Sequence, residues 1–94
     1  MEKGGWVYLM TDKPRGVLYV GVTADLARRV GEHQAGVGSV FCARWGLRRL
    51  VWAERFGSIE AATRREKQVK RWRRDWKIAL VEAGNPEWGE ILPW

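Results

Sequence analysis

The stretch WVYLMTDKPRGVLYVG, residues 6–21, constrains the fold more than any other part of the chain. Two β-branched and aromatic runs of strand length, 5–10 and 17–22, flank TDKPRG. The Asp, Pro and Gly of that connection are turn residues. Two such runs so close in sequence predict an antiparallel hairpin. With Thr11 to Gly16 as the loop, Met10 pairs with Val17, Tyr8 falls opposite Tyr19, and Trp6 opposite Gly21. Directly opposed residues share a sheet face with Cβ atoms about 5 Å apart. The predicted register therefore sets two phenols side by side, and a one-residue slip would part them. They are the only two tyrosines of a chain that holds seven tryptophans.

A chain of 94 residues predicts a single domain, spanning 1–94. Its formal net charge is +6, with a dense basic run, RREKQVKRWRR, at 64–74. That excess favours an anionic partner, while a solvated helix face is the bland reading of the same run. Cys42 is the only cysteine and His33 the only histidine. An intrachain disulfide, a cysteine-based zinc site and a multi-histidine metal site are thereby excluded, and a reducing compartment fits. No stretch approaches the roughly 20 apolar residues of a membrane span. MEKGGWVYLMTDK lacks the long apolar run of a signal peptide. The expectation is a cytoplasmic protein.

A helix follows the hairpin, with Thr23 as its N-cap, Asp25 in the first turn, and an end near Gln34 before GVGS. At about 100° per residue, Leu26, Arg29, Val30 and His33 share a face and Arg28 points elsewhere. Residues 46–56, GLRRLVWAERF, read as a third strand. Ser58 caps a second helix, IEAATRREKQVKRW, with Ala61, Ala62, Val69 and Trp72 on its apolar side. Arg64, Lys67, Arg71 and Arg74 form its basic side, and Glu66 sits at the border. A third helix spans about 75–83, and the tail docks through Trp88 and Leu92. The order β-β-α-β-α-α predicts an α+β domain, a small antiparallel sheet with helices against it.

Taken singly, the unusual residues have ordinary explanations. Tyr8 and Tyr19 are half-buried strand aromatics. Gly21 marks a bulge or a close approach. Arg29 needs only a structural carboxylate, His33 only a satisfied ring, and Glu66 only an i,i+4 partner such as Lys70. Their order and spacing say more. Trp6-Val7-Tyr8 and Tyr19-Val20-Gly21, the helix TADLARRVGEH, the helix AATRREKQVKRWRRDWK and the tail NPEW together resemble the GIY-YIG nuclease family, in particular its small stand-alone bacterial members. The resemblance covers about residues 5–92. Only the tyrosine of the first motif is identical, and Val-Tyr-Leu is a familiar variant.

The resemblance implies a three-stranded antiparallel sheet flanked by three helices, and metal-dependent phosphodiester cleavage. It assigns Arg29 as the helical arginine and His33 as its partner one turn on. Glu66 becomes the ligand of a divalent ion, Mg²⁺ or Mn²⁺, and Asn85 the residue that helps order the site. Arg29 would hold phosphate oxygens bidentately. Tyr8 would act as general base or water positioner beside Tyr19, and Gly21 would leave room for substrate. A free phenol titrates near 10, so this role needs positive charge close by. Arg64, Lys67, Lys70, Arg71 and Arg74 would contact the nucleic-acid backbone without reading its sequence. The expected substrate is DNA, branched, damaged or single-stranded, with a role in DNA repair. Two other readings stand beside this one: a non-catalytic nucleic-acid binder using the same basic cleft, and an interaction protein using exposed tryptophans. A protein partner or a homodimer is left open.

Overall fold

The structure, a computed structural model, describes residues 4–94. Its elements are β1 (Gly5–Thr11), β2 (Leu18–Thr23), α1 (Leu26–Gln34), α2 (Val40–Trp45), β3 (Arg49–Phe56), α3 (Ile59–Arg71) and α4 (Arg74–Gly84). The strands form one antiparallel sheet in the order β2-β1-β3. The α+β class and the three-stranded sheet agree with expectation, with one helix more than predicted. That helix is α2, capped by Ser39, whose side chain accepts from the Cys42 amide. The third strand starts at Arg49 rather than at Gly46 because α2 and its closing turn occupy the residues before it. Asp25, not Thr23, caps α1 by accepting from the Arg28 amide. Thr23 instead bonds the Asp25 backbone through its hydroxyl.

Strand alternation divides the core in two. Val7 and Leu9 of β1 join Val20, Val51, Ala62, Val69, Val81 and Trp88 on the face covered by α3 and α4. Tyr8 and Met10 join Leu26, Val30, Cys42, Leu47 and Leu50 on the face covered by α1 and α2. A bulge at Val51 sets the consecutive residues Val51 and Trp52 against the same cluster: Leu9 pairs with Trp52 and Met10 with Leu50. The freed Val51 carbonyl accepts from Asn85 Nδ2 at 3.0 Å. Trp88, with 2% exposure, fills the core beneath, its indole N–H donating to Glu82 at 2.7 Å. Leu92, the other expected anchor of the tail, is 61% exposed and does not dock.

The hairpin register differs from the sequence expectation by two residues. Thr11 pairs with Leu18, Met10 with Tyr19 and Tyr8 with Gly21. The loop is built around Asp12, whose carboxylate accepts from the Val17 amide at 2.9 Å. That bond draws Val17 into the loop, which simple counting from the turn residues misses. A shift of two preserves the face, so Tyr8 and Tyr19 remain on one side of the sheet, now as diagonal neighbours.

The register also explains Gly21. A Cβ there would overlap the Tyr8 Cζ and hydroxyl and stand 2.7 Å from its Cε1. The glycine makes room for the Tyr8 ring, not for substrate. Gly21→Ala is therefore expected to cost about 1–3 kcal/mol in urea unfolding. The cost should shrink markedly in a Tyr8→Val background, where the overlapping ring is gone.

Candidate active site

On the α1 side of the sheet, four of the predicted site residues converge. The Tyr8 hydroxyl lies 2.8 Å from His33 Nε2. The Tyr8 and Tyr19 ring centroids are 6.3 Å apart, and His33 lies 5.6 Å from the first and 5.5 Å from the second. The helical period brings Leu26, Val30 and His33 onto the sheet, and Arg29 rides at the edge of that stripe, half-buried. Its guanidinium stands beside the Tyr8 phenol and pairs with Glu32 at 3.1 Å. Arg28 points outward, as the helical period predicts.

Protonation follows from this geometry. Burial pushes the Tyr8 phenol above its ordinary value, and the neighbouring Arg29 only partly offsets this. Burial, and then the Arg29 charge, push His33 below its ordinary value, so the imidazole is neutral at pH 7. His33 Nδ1 is buried without a partner. A buried orphan N–H is costlier than an orphan lone pair. Donation from Nε2–H would in turn leave the buried phenol O–H without an acceptor, so the bond joins Tyr8 and His33 in either tautomer. The Arg29 guanidinium and the His33 imidazole thus meet at one phenol oxygen.

The remaining candidates lie elsewhere. Glu66 belongs to the stripe of α3 that carries Ala62 and Val69, on the opposite sheet face. It is 7% exposed, and its carboxylate pairs with Lys70 at 2.8 Å, the i,i+4 partner expected from sequence. The link to the tyrosines runs through Lys70. Its pKa is raised first by the hydrogen bond to Glu66, and the Tyr19 phenol adds to the rise. α3 packs on β1 and on the edge strand β2, which carries Tyr19. Among the described residues, no group of three or more His, Cys, Asp or Glu side chains is arranged to hold a metal.

Arg64, Lys67 and Arg71 are exposed on α3 and accessible to a phosphate backbone. Arg74 is not on that face. It begins α4, and its guanidinium donates to the Arg15 carbonyl and, at 2.7 Å, to the Gly16 carbonyl, clamping the hairpin loop. Asn85 contacts Val51 and Gly89 and orders the tail turn rather than the tyrosine cluster. The sequence reading missed Phe41, which stacks on Tyr19 at 6.2 Å between centroids. The signal was present in Ser39 and Gly46, a cap and a closing residue bracketing VFCARW.

Comparison with known proteins places the chain in a family. The family described as GIY-YIG catalytic domain matches residues 4–79. The chain belongs to the GIY-YIG family. That membership makes it a protein of nuclease type, from a family whose substrate is nucleic acid. It is similar to a "UPF0213 protein" of Aeromonas salmonicida, 32% identical over 97% of this chain and 67% of the relative. Another, from Natronomonas pharaonis, is 42% identical over 86% of this chain and 94% of the relative. A third, from Haloquadratum walsbyi, is 40% identical over 71% of this chain and 75% of the relative. No solved structure matches. No helix among the described residues is long and apolar enough to cross a membrane.

Because His33 is the only histidine, its ring can be followed directly by ¹⁵N NMR. The expected spectrum is that of a neutral imidazole, with protonation deferred to below about pH 6.5. Since the unfolded chain takes that proton earlier, stability should fall as pH drops through this range. His33→Gln should remove that component of the fall.

Proposed function

We propose that the protein is a metal-dependent endonuclease hydrolysing phosphodiester bonds in DNA. Tyr8, Tyr19, Arg29 and His33 form its catalytic cluster, and Glu66 is its metal carboxylate. The observation that carries the reading is the cluster itself: a phenol oxygen facing both a guanidinium and an imidazole nitrogen. A buried tyrosine that served packing alone would need only one hydrogen-bond partner.

Hydrolysis requires a proton acceptor for the attacking water, positive charge on the phosphate oxygens, and support for the leaving oxygen. Tyr8 is the proton acceptor. Its phenolate, disfavoured by burial, is stabilised by the His33 Nε2–H and by Arg29. Arg29 sits at the border of the cluster, where its fork can turn from Glu32 to phosphate oxygens. Tyr19, only partly buried, orients water or phosphate at the mouth of the cluster.

Glu66 suits a divalent ion through the chemistry of its surroundings. It is a nearly buried carboxylate that already holds a cation, the Lys70 ammonium. A single carboxylate matches Mg²⁺, which keeps several waters and completes its shell with substrate phosphates. When bound, such an ion supplies charge for the phosphate and leaving oxygens. Lys70 is then freed for the nucleic-acid backbone, alongside Arg64, Lys67 and Arg71. These contacts give salt-dependent, sequence-independent affinity.

The test is cleavage of branched, single-stranded and duplex DNA, and of RNA, with Mg²⁺ or Mn²⁺. Wild-type protein should cut DNA, and chelation should stop it. Glu66→Ala should lose the metal-dependent rate yet keep salt-sensitive binding. Arg29→Ala should slow cleavage about 100-fold or more, and Arg29→Lys should recover only part, since an ammonium cannot make the bidentate contact. Binding without cleavage of any substrate by the wild type would replace this reading with the non-catalytic one.

A further inference from the structure

α2 is a poor core helix. Of VFCARW, only Cys42 is buried, while Val40, Phe41 and Trp45 all face solvent. Phe41 is 44% and Trp45 52% exposed, large costs for apolar rings that packing does not explain. The two rings are not scattered. Tyr19 stacks on Phe41 with an interplanar angle of 27°, and Phe41 adjoins Trp45 at 6.5 Å. The row Tyr19–Phe41–Trp45 thus leads outward from the catalytic cluster along α2. At its far end the exposed Arg44 guanidinium lies over the Trp45 ring, 5.7 Å from its centroid.

We propose that this row is a stacking platform for unpaired bases of a single-stranded nucleic-acid segment that leads into the site. The proposal rests on the reading of the chain as acting on nucleic acid, and it names the form of the substrate. Two observations and one general rule select this occupant. The row is continuous with Tyr19, so a strand lying on it enters the catalytic cluster. A cation, Arg44, lies against the ring at its far end, which suits bases joined by phosphates, in a chain of net charge +6. Exposed aromatic rings beside Arg are how single strands are held without sequence readout, because every base has a π-face while duplex bases are already stacked. A duplex end with frayed or flapped bases would satisfy the same platform through its unpaired part.

The experiment measures binding by fluorescence anisotropy with chelator present, so that a failure of catalysis leaves it unaffected. The probes are fluorescein-labelled oligo(dT), oligo(rU) and a blunt duplex of equal length. Wild-type protein should bind the single strands more tightly than the duplex. Phe41→Ala and Trp45→Ala should each weaken single-strand binding about tenfold, with duplex binding changed less than about twofold. Trp45→Phe should restore most of the loss because it restores a ring. The relative affinities for oligo(dT) and oligo(rU) tell whether the platform takes DNA or RNA. Circular dichroism should show the variants folded, since both rings are solvent-exposed. A wild type that prefers duplex would overturn the proposal without any variant. So would equal losses on duplex and single strand, or no loss at all. Sedimentation velocity that showed a dimer dissociated by Trp45→Ala would assign the rings to a second copy of the chain instead.

Discussion

The hydrogen bond between His33 Nε2 and the Tyr8 hydroxyl joins α1 to the central strand, and most of the candidate site is arranged around it. Tyr8 is fully buried, so its oxygen must be satisfied inside the protein. His33 satisfies it from the same helical face that sets Arg29 at the rim. Gly21 completes the arrangement from β2 by leaving space for the ring. A residue that looks like strand packing is therefore the point where a strand, an edge strand and a helix meet. The same burial that fixes the geometry also raises the free energy of the phenolate, so the positive groups around the oxygen are a chemical requirement rather than ornament.

The basic excess of the chain divides into cations with different duties. Some are spent on structure. Arg74 clamps the hairpin loop, Arg15 pairs with Glu82 at 2.9 Å, and Arg49 donates to the Trp88 carbonyl at 3.1 Å. Others, including Arg64, Lys67 and Arg71, face solvent on α3. Lys70 stands between these classes, bound to Glu66 but exposed at its own side chain. Net charge thus points to an anionic partner, but only the packing of each guanidinium tells which charges are free to meet it.

Much of the site was legible because periodicity is local. Alternation along a strand places Tyr8 and Tyr19 on one face for any even register, and the helical repeat alone separates inward Arg29 and His33 from outward Arg28. What escaped was the consequence of single side-chain contacts. The Asp12 carboxylate drew Val17 into the loop and moved the register by two. The Val51 bulge and the short α2 were equally hidden, the first because a bulge leaves no periodic trace. The second is a six-residue helix whose apolar residues mostly point away from the core.

By itself, then, the sequence determined the α+β class, the hairpin, the helix faces and the ordered series of Tyr8, Tyr19, Arg29, His33 and Glu66. The class, the hairpin and the helix faces follow from side-chain period, capping and turn chemistry, which act within a few residues, and the ordered series was legible through its resemblance to a family. Only the tertiary structure decided that Tyr8 is enclosed and Gly21 serves its ring. It also decided that Glu66 approaches from the opposite face, and that Tyr19 heads a solvent-facing aromatic row. Each of these is set by contacts between residues far apart in the chain, whose geometry depends on how the layers pack rather than on any local pattern.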